Sequence, residues 1–468
     1  MGISKSKNLF YTGIANGSSI FLLLLLVLLA RFLGKDDYGR FSYVFAVLSA
    51  FSLIADFGLT ELTRREIARN RASAGRLISS TLFWRSILAL GAYMAGAVFF
   101  FMSVDAEQLL PLGLVLGVAI FLKALKQVTA ASLQGLEAFG AFALSQLIHN
   151  LGIVLVGALA LFMGANLMQF CVFFAMYKIV DLMFALWLTS KSSVGSLTTR
   201  PSFALAWDLQ RIALPVGVLG VIDQANNYAD TIILGLLRDP GEVGLYSSAY
   251  QIFIGYTVLP TIVSQAYAAS LVRAFDISAE NGMAIMREAV AWVLLAGLGP
   301  LVFLWHAAPF VVDVLYGQDF SDASGSLRWL MGASVFVGVN WIFGLAAISA
   351  NRQFMLVPIM GFALLFNILL NLMLIPNYGH EGAAFATFAS AGLISFLLML
   401  RIKAILGPPR ITWLVASGVF IWVCAWASGY FVPNTHSLIT GFVAGGVGIV
   451  LATSIGWFLR TYPKTCYF

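Results

Sequence analysis

The chain has 468 residues, of which 60% are hydrophobic and only 10% are charged, with a net charge of +6. Soluble domains carry roughly 25% charged residues, so this chain cannot cover a surface that faces water, and lipid must be its solvent. Its Lys and Arg residues fall in short connections between apolar runs, which makes them orientation signals rather than a nucleic-acid footprint.

A membrane helix needs about 20 mainly apolar residues. Taken in chain order, the apolar runs predict spans at 8–33, 40–60, 78–103, 109–133, 141–163, 167–189, 209–236, 243–272, 286–308, 326–350, 354–375, 380–406, 411–431 and 438–460. The first run follows Lys5 and Lys7 as a signal peptide would. It is too long for a signal-peptide core and no small-residue cleavage site follows it, so it reads as a retained first helix. No strand alternation persists, which argues against a β-barrel. The expected fold class is therefore all-α, a polytopic membrane protein of about fourteen transmembrane helices. Cys171, Cys424 and Cys466 are too far apart in sequence to suggest a disulfide framework or a metal cluster.

With the N-terminus inside, the inner segments hold Lys5, Lys7, Arg64, Arg65, Arg69, Arg71, Arg76, Lys191, Arg200, Arg211, Arg273, Arg287, Arg352, Arg401, Lys403, Arg410, Arg460 and Lys464. The outer segments hold only Arg31, Lys35, Arg40, Arg238 and Arg328. This asymmetry predicts that both termini are cytoplasmic. The longest hydrophilic connection lies between spans six and seven. It divides the chain into an N-terminal six-helix lobe at 1–190, a cytoplasmic linker at 191–208, a C-terminal six-helix lobe at 209–406, and two additional helices with a cytoplasmic tail at 407–468. Internal similarity supports the division. Leu33-Gly34 and then Tyr38-Gly39-Arg40-Phe41 in the first half match Leu234-Gly235 and then Val243-Gly244-Leu245-Tyr246 in the second. Halves of six helices enter the membrane in the same sense, so the repeat is parallel.

The same residues carry a family resemblance. With Asp56-Phe57-Gly58-Leu59 and Arg64-Arg65-Glu66-Ile67-Ala68-Arg69 they resemble the start of a polysaccharide (O-antigen-type, Wzx-like) flippase. The second half agrees through Asp230-Thr231-Ile232-Ile233-Leu234-Gly235, Ala249-Tyr250, Leu315-Tyr316-Gly317 and Leu374-Ile375-Pro376-Asn377-Tyr378-Gly379. Gly382-Ala383-Ala384 and Ala386-Thr387 follow at once. That family belongs to the superfamily of multidrug, oligosaccharidyl-lipid and polysaccharide exporters. The resemblance implies two lobes around a central cavity, alternating access, and a lipid-linked oligosaccharide on undecaprenyl diphosphate as cargo in a cell inner membrane. It also implies polysaccharide polymerase and glycosyltransferases as neighbours in the pathway.

Ionisable groups inside a membrane usually face a cavity or a partner. Lys123 and Lys126 share one face of span four, with Gln127 beside them, and offer cations for a diphosphate or snorkel to the inner interface. Asp223, Asn226, Asn227 and Asp230 form a stripe on span seven, suited to sugar hydroxyls, to a coupling proton or sodium ion, or to a structural network. Lys178 and Asp181, three apart on span six, read as an internal ion pair, with substrate binding as the alternative. Gln146, His149 and Asn150 on span five read as an interhelical hydrogen-bond cluster, with His149 able to titrate near neutral pH. Arg31, Asp56 and Arg85 lie near span ends, where snorkelling or gate contacts explain them as well as substrate binding does. No Walker loop occurs, and the four histidines lack metal-ligand spacing. The expectation is thus a transporter, not an enzyme, with no cofactor, no metal and no nucleic-acid partner. A cation-coupled multidrug exporter of the same superfamily is the alternative. A membrane polymerase or ligase is disfavoured, because the outer connections are short and the largest is acidic. The topology has a direct test: reporter fusions at Lys191 and Lys464 are both expected to report cytoplasm, and a periplasmic signal at either site rejects it.

Overall fold

The computed structural model describes residue 11 and residues 20–192 and 199–406. The spans expected at 411–431 and 438–460 lie outside the described residues. The described chain is helical: α1 Ile20–Ile54, α2 Leu59–Arg69, α3 Ala74–Phe101, α4 Ala106–Gly135, α5 Phe139–Phe162, α6 Leu167–Ser192, α7 Phe203–Leu237, α8 Pro240–Ile277, α9 Ala279–Tyr316, α10 Ala323–Ser349 and α11 Leu356–Leu406. It is an all-α, multi-pass membrane protein. Among the described residues seven stretches are long and apolar enough to cross a membrane, including Ala106–Gly135, Phe139–Phe162 and Leu167–Ser192.

The faces of these helices show why lipid suits them. On α6, Val172, Met176, Val180, Met183 and Trp187 are exposed, while Cys171, Ala175, Lys178, Asp181, Leu182 and Ala185 are buried. The apolar stripe thus points outward and the charged residues inward, the reverse of a soluble amphipathic helix. Two expected loops are sharp breaks, each joining two helices within one of these ranges. Gly34 takes φ 78° inside α1 and Gly379 takes φ 51° inside α11. Positive φ is cheap only for glycine, so each break turns the chain from one helix into the next with almost no loop.

Sequence reading did not mark α2, which lies mostly in the connection between the spans at 40–60 and 78–103. Leu59, Thr63 and Ile67 are buried at offsets of four, while Arg65 and Arg69 face outward. That spacing was the available signal. Glu61 accepts hydrogen bonds from Arg64 and Arg65 at 2.6–2.9 Å. The bond from Arg64 is the main reason that its carboxyl is held below the usual carboxylate range. Leu59 and Ile67 join Leu77, Ile78, Trp84, Leu136 and Leu209 in one buried cluster. This ties α2, α3, the end of α4 and the start of α7 together.

By contacts the chain forms two compact units. The first is 1–235 with 239–244, and the second is 236–238 with the chain from Leu245 onward. The boundary therefore falls at the α7–α8 turn, one helix beyond the hydrophilic linker. Within the first unit α7 lies close on the turn before α2. A β-carbon on Gly217 would collide with the Phe57 backbone, and one on Gly58 would meet the Ala213 carbonyl oxygen and the Gly217 nitrogen at 3.0 Å. Trp84 Nε1 also donates to Gln210 Oε1 at 3.3 Å. In the second unit α8 is fixed to α9 by Tyr256, whose hydroxyl donates to the Gly297 carbonyl at 2.6 Å. Arg238 donates to the carbonyls of Ile375 and Pro376 at 3.1 and 2.8 Å, just before the Gly379 break.

The repeat motifs meet one another. A β-carbon on Gly39 would collide with the Pro240 carbonyl oxygen, and one on Gly244 would collide with that of Lys35. In the alignment that pairs Gly39 with Gly244, Lys35 pairs with Pro240, so each motif makes the other's contact. Only glycine permits backbones this close. Gly244→Val is expected to destabilise the detergent-purified protein by about 1–3 kcal/mol, seen as a lower melting temperature. Gly91→Ala, where nothing lies within 4 Å of the new methyl, should leave it within about 1 kcal/mol of the parent. Equal melting temperatures for the two variants would contradict the close approach.

Candidate substrate-binding site

Helix α4 packs against α1, α2, α3, α5 and α6, so a charge on its inner face must find partners on those helices or stay unpaired in a poorly solvated place. Lys126 is buried, and its Nζ donates to Asp181 Oδ1 of α6 at 2.6 Å. The second oxygen of the same carboxylate, Oδ2, lies 2.6 Å from His149 Nδ1 of α5. The far side of that ring, Nε2, lies 3.5 Å from Lys178 Nζ of α6. Lys178 also sits over the Phe174 ring, 5.0 Å from its centroid. Lys123, half-buried one turn along α4 from Lys126, sits over the Phe45 ring of α1 at 5.3 Å. Three helices of the first unit thus bring Lys123, Lys126, His149, Lys178 and Asp181 into one cluster, and α1 adds the Phe45 ring.

Several expectations change. Asp181 takes its short bonds from Lys126 and His149 rather than from Lys178 on its own helix. Both of its oxygens are occupied from α4 and α5, which leaves Lys178 to the imidazole and to Phe174. Lys126 does not snorkel, since its side chain is 7% exposed and ends on a carboxylate that is 1% exposed. His149 belongs to a charged cluster rather than to a purely neutral hydrogen-bond network. Arg85 does not snorkel either. It is 1% exposed, with Nη1 3.3 Å from Asp56 Oδ1, and Nη2 donates to Gln127 Oε1 at 3.3 Å. Asp56 in turn accepts from the Thr60 hydroxyl at 2.5 Å. Asp56 and Arg85 are therefore one ion pair that joins the turn before α2 to α3, with Gln127 linking it to α4 next to Lys126. Arg31 lies on the exposed surface of α1, three residues before the Gly34 break.

The stripe on α7 is only partly described. Asp230 is buried and Asn227 is exposed. Asn226 donates to the Ile222 carbonyl of its own helix at 2.9 Å. The side chain of Asp223 lies outside the described residues. Sequence reasoning overlooked Phe45 and Phe174 because aromatic residues on apolar spans look like lipid-facing packing. Here each offers its ring to a lysine.

Comparison with known proteins places the chain in a family. Residues 6–275 match the family described as Polysaccharide biosynthesis protein. The chain belongs to that family. It is 23% identical over 370 residues to a Haloferax volcanii protein described as "Probable low-salt glycan biosynthesis flippase Agl15", covering 77% of this chain and 75% of that protein. In fold it is similar to the lipid II flippase MurJ in an inward closed conformation, with a TM-score of 0.71 and 15% identity over 97% of this chain and 99% of that one. It is also similar to an inward-facing multidrug resistance MATE transporter of the MOP superfamily, with a TM-score of 0.69 and 15% identity over 84% and 96%.

In this member of the family the buried carboxylate makes a sharp test. Asp181→Asn leaves the Lys126 ammonium buried without its counter-charge, which is expected to cost about 3–5 kcal/mol. Adding Lys126→Met should recover part of that loss. Thermal melts of the parent, both single variants and the double variant measure the coupling, and additive losses would show that the pair is not coupled.

Proposed function

We propose that the protein flips a lipid-linked oligosaccharide, carried on a polyprenyl diphosphate such as undecaprenyl diphosphate, across a cell inner membrane by alternating access. The observation that carries this reading is the charge balance of the cluster. Among the described residues Lys123, Lys126 and Lys178 gather around one carboxylate, Asp181, so three formal positive charges less one negative leave a formal net of two while His149 is neutral. A diphosphate joined to a lipid and a sugar carries about two negative charges, and charge of either sign is expensive in the membrane interior. An excess of cations inside the bundle is therefore a site for an anionic headgroup. Membership in the polysaccharide biosynthesis family supports the same cargo class.

The pairing also assigns roles. Lys126 is neutralised by Asp181 and acts as a positioning residue. Lys123 and Lys178 rest on ring faces and carry the charge that meets the phosphates. Lysine suits this task as a compact point charge on a flexible stem. The polar stripe of Asp223, Asn226, Asn227 and Asp230 is our candidate for sugar hydroxyls or a coupling cation. Arg31, Asp56 and Arg85 act in holding or gating the inner turn and the helix ends. Polysaccharide polymerase and glycosyltransferases are the expected pathway neighbours, and both termini are cytoplasmic in this reading.

The fold similarity to a multidrug transporter favours one second reading, export of small drugs with cation coupling. A cationic drug would be repelled by the net charge of the cluster, so that reading fits the site less well. Export of glycan in cells separates the two. Lys123→Ala together with Lys178→Met should abolish export at normal protein level. Lys123→Arg should keep part of it, because the charge remains while the donor geometry changes. Lys126→Met with Asp181→Asn removes one charge of each sign and should retain more export than the first double variant. Full export by Lys123→Ala with Lys178→Met would eliminate the cluster as the diphosphate site.

A further inference from the structure

His149 occupies a position that constrains its proton. A carboxylate only accepts hydrogen bonds, so the nitrogen 2.6 Å from Asp181 Oδ2, Nδ1, must carry hydrogen. An ammonium only donates, so the nitrogen facing Lys178 Nζ, Nε2, must present its lone pair. Only the neutral imidazole with hydrogen on Nδ1 meets both demands. The two contacts differ in strength. The bond to Asp181 is short and tied to a carboxylate that Lys126 also holds. The Lys178 contact is 3.5 Å, at the long limit for a hydrogen bond. Lys178 has an alternative seat over Phe174.

We propose that His149 is a proton-operated latch on Lys178. In its neutral form the ring holds the Lys178 ammonium through Nε2. Uptake of one proton from water at Nε2 places an N–H against that ammonium, and Lys178 swings free to meet an anion. No other bond forms or breaks. The proton adds one positive charge to the cluster, and the released lysine exposes a second that was occupied. Binding of a diphosphate and uptake of a proton therefore favour each other, as linkage requires. This inference rests on the diphosphate reading for its ligand, but the geometry of the latch does not. The charged groups acting on the ring are Lys126 from α4 and Lys178 and Asp181 from α6. Lys123 of α4 acts on Lys178. Tyr177 of α6 is engaged elsewhere, its hydroxyl donating to the Ile148 carbonyl at 2.7 Å. Helix α1, which also packs on α5, brings Leu25 against Gly157.

Two measurements on the full chain in lipid nanodiscs test the latch. Nitrogen-15 histidine spectra, with His149 assigned by its loss in His149→Gln, should show the neutral tautomer protonated at Nδ1, and its ring signals should move in Lys178→Met. A neutral ring protonated at Nε2, or signals indifferent to Lys178→Met, overturns the proposal. Calorimetry with farnesyl diphosphate as the probe, in buffers of different ionisation enthalpy, should show net proton uptake on binding. Affinity should weaken as pH rises, because a proton is taken up on binding. In His149→Gln the probe should still bind, with the uptake and the pH dependence reduced to those of the diphosphate itself. Equal uptake in parent and variant overturns the latch. Failure of farnesyl diphosphate to bind the parent at all counts against the diphosphate reading instead, and the spectra then decide the latch alone.

Discussion

One buried carboxylate fixes the geometry on which the proposed site depends. Asp181 sits on α6 and takes Lys126 from α4 on one oxygen and His149 from α5 on the other, each at 2.6 Å. In water such pairs are worth little, because solvent competes for both partners. Inside a helical bundle in lipid no such competitor is at hand, and an unmatched charge costs several kcal/mol. The pair therefore works as a constraint on rotation: if α4 or α5 turned about its axis, Lys126 or His149 would lose its only anion in the cluster. The positions of Lys123 and Lys178 follow, since each lies three residues from the corresponding member of the Lys126–Asp181 pair and shares its helix face.

Shape complements charge in the same unit. Apolar side chains gain little by leaving lipid tails for one another, so membrane helices rely on close packing. The glycines mark where backbones touch: Gly58 and Gly217 where α7 lies on the turn before α2, and Gly39 and Gly244 where the repeat motifs interlock. These contacts have no side chain to soften them. They favour one register of approach and reject its neighbours.

Much of this was legible in sequence. The helices in the described residues follow the apolar runs because a lipid-facing segment has no polar alternative. The breaks at Gly34 and Gly379 fall where short turns were expected. What sequence misjudged has a common cause. The spacing of Lys178 and Asp181 points to a local pair, yet the partners that Asp181 takes lie 55 and 32 positions away. A rule built on one helix cannot see what neighbouring helices deliver. Helix α2 was overlooked for a related reason: its charged surface reads as a loop until the three buried residues spaced along it are given a core to face. The pairing of Arg85 with Asp56 was within reach, since both were candidates, but only the fold shows that Arg85 is enclosed rather than extended toward an interface.

The lysines left without a carboxylate show how the proposed site tolerates being empty. A charge at the centre of a membrane helix costs about 2.5–3.5 kcal/mol on insertion scales. A ring face returns about 0.5–2 kcal/mol of that as cation–π attraction. Lys123 over Phe45 and Lys178 over Phe174 are thus partly compensated at rest. A second carboxylate in place of either ring would compensate them more fully, and would then compete with the phosphates for the same ammonium. A hydrophobic residue would leave the charges too costly to keep. An aromatic partner lies between these limits: it holds the ammonium where it is needed and yields it to a stronger anion. In the proposed role a carrier that must release its cargo benefits from this intermediate strength, because the same rings can take the lysines back when the phosphates leave.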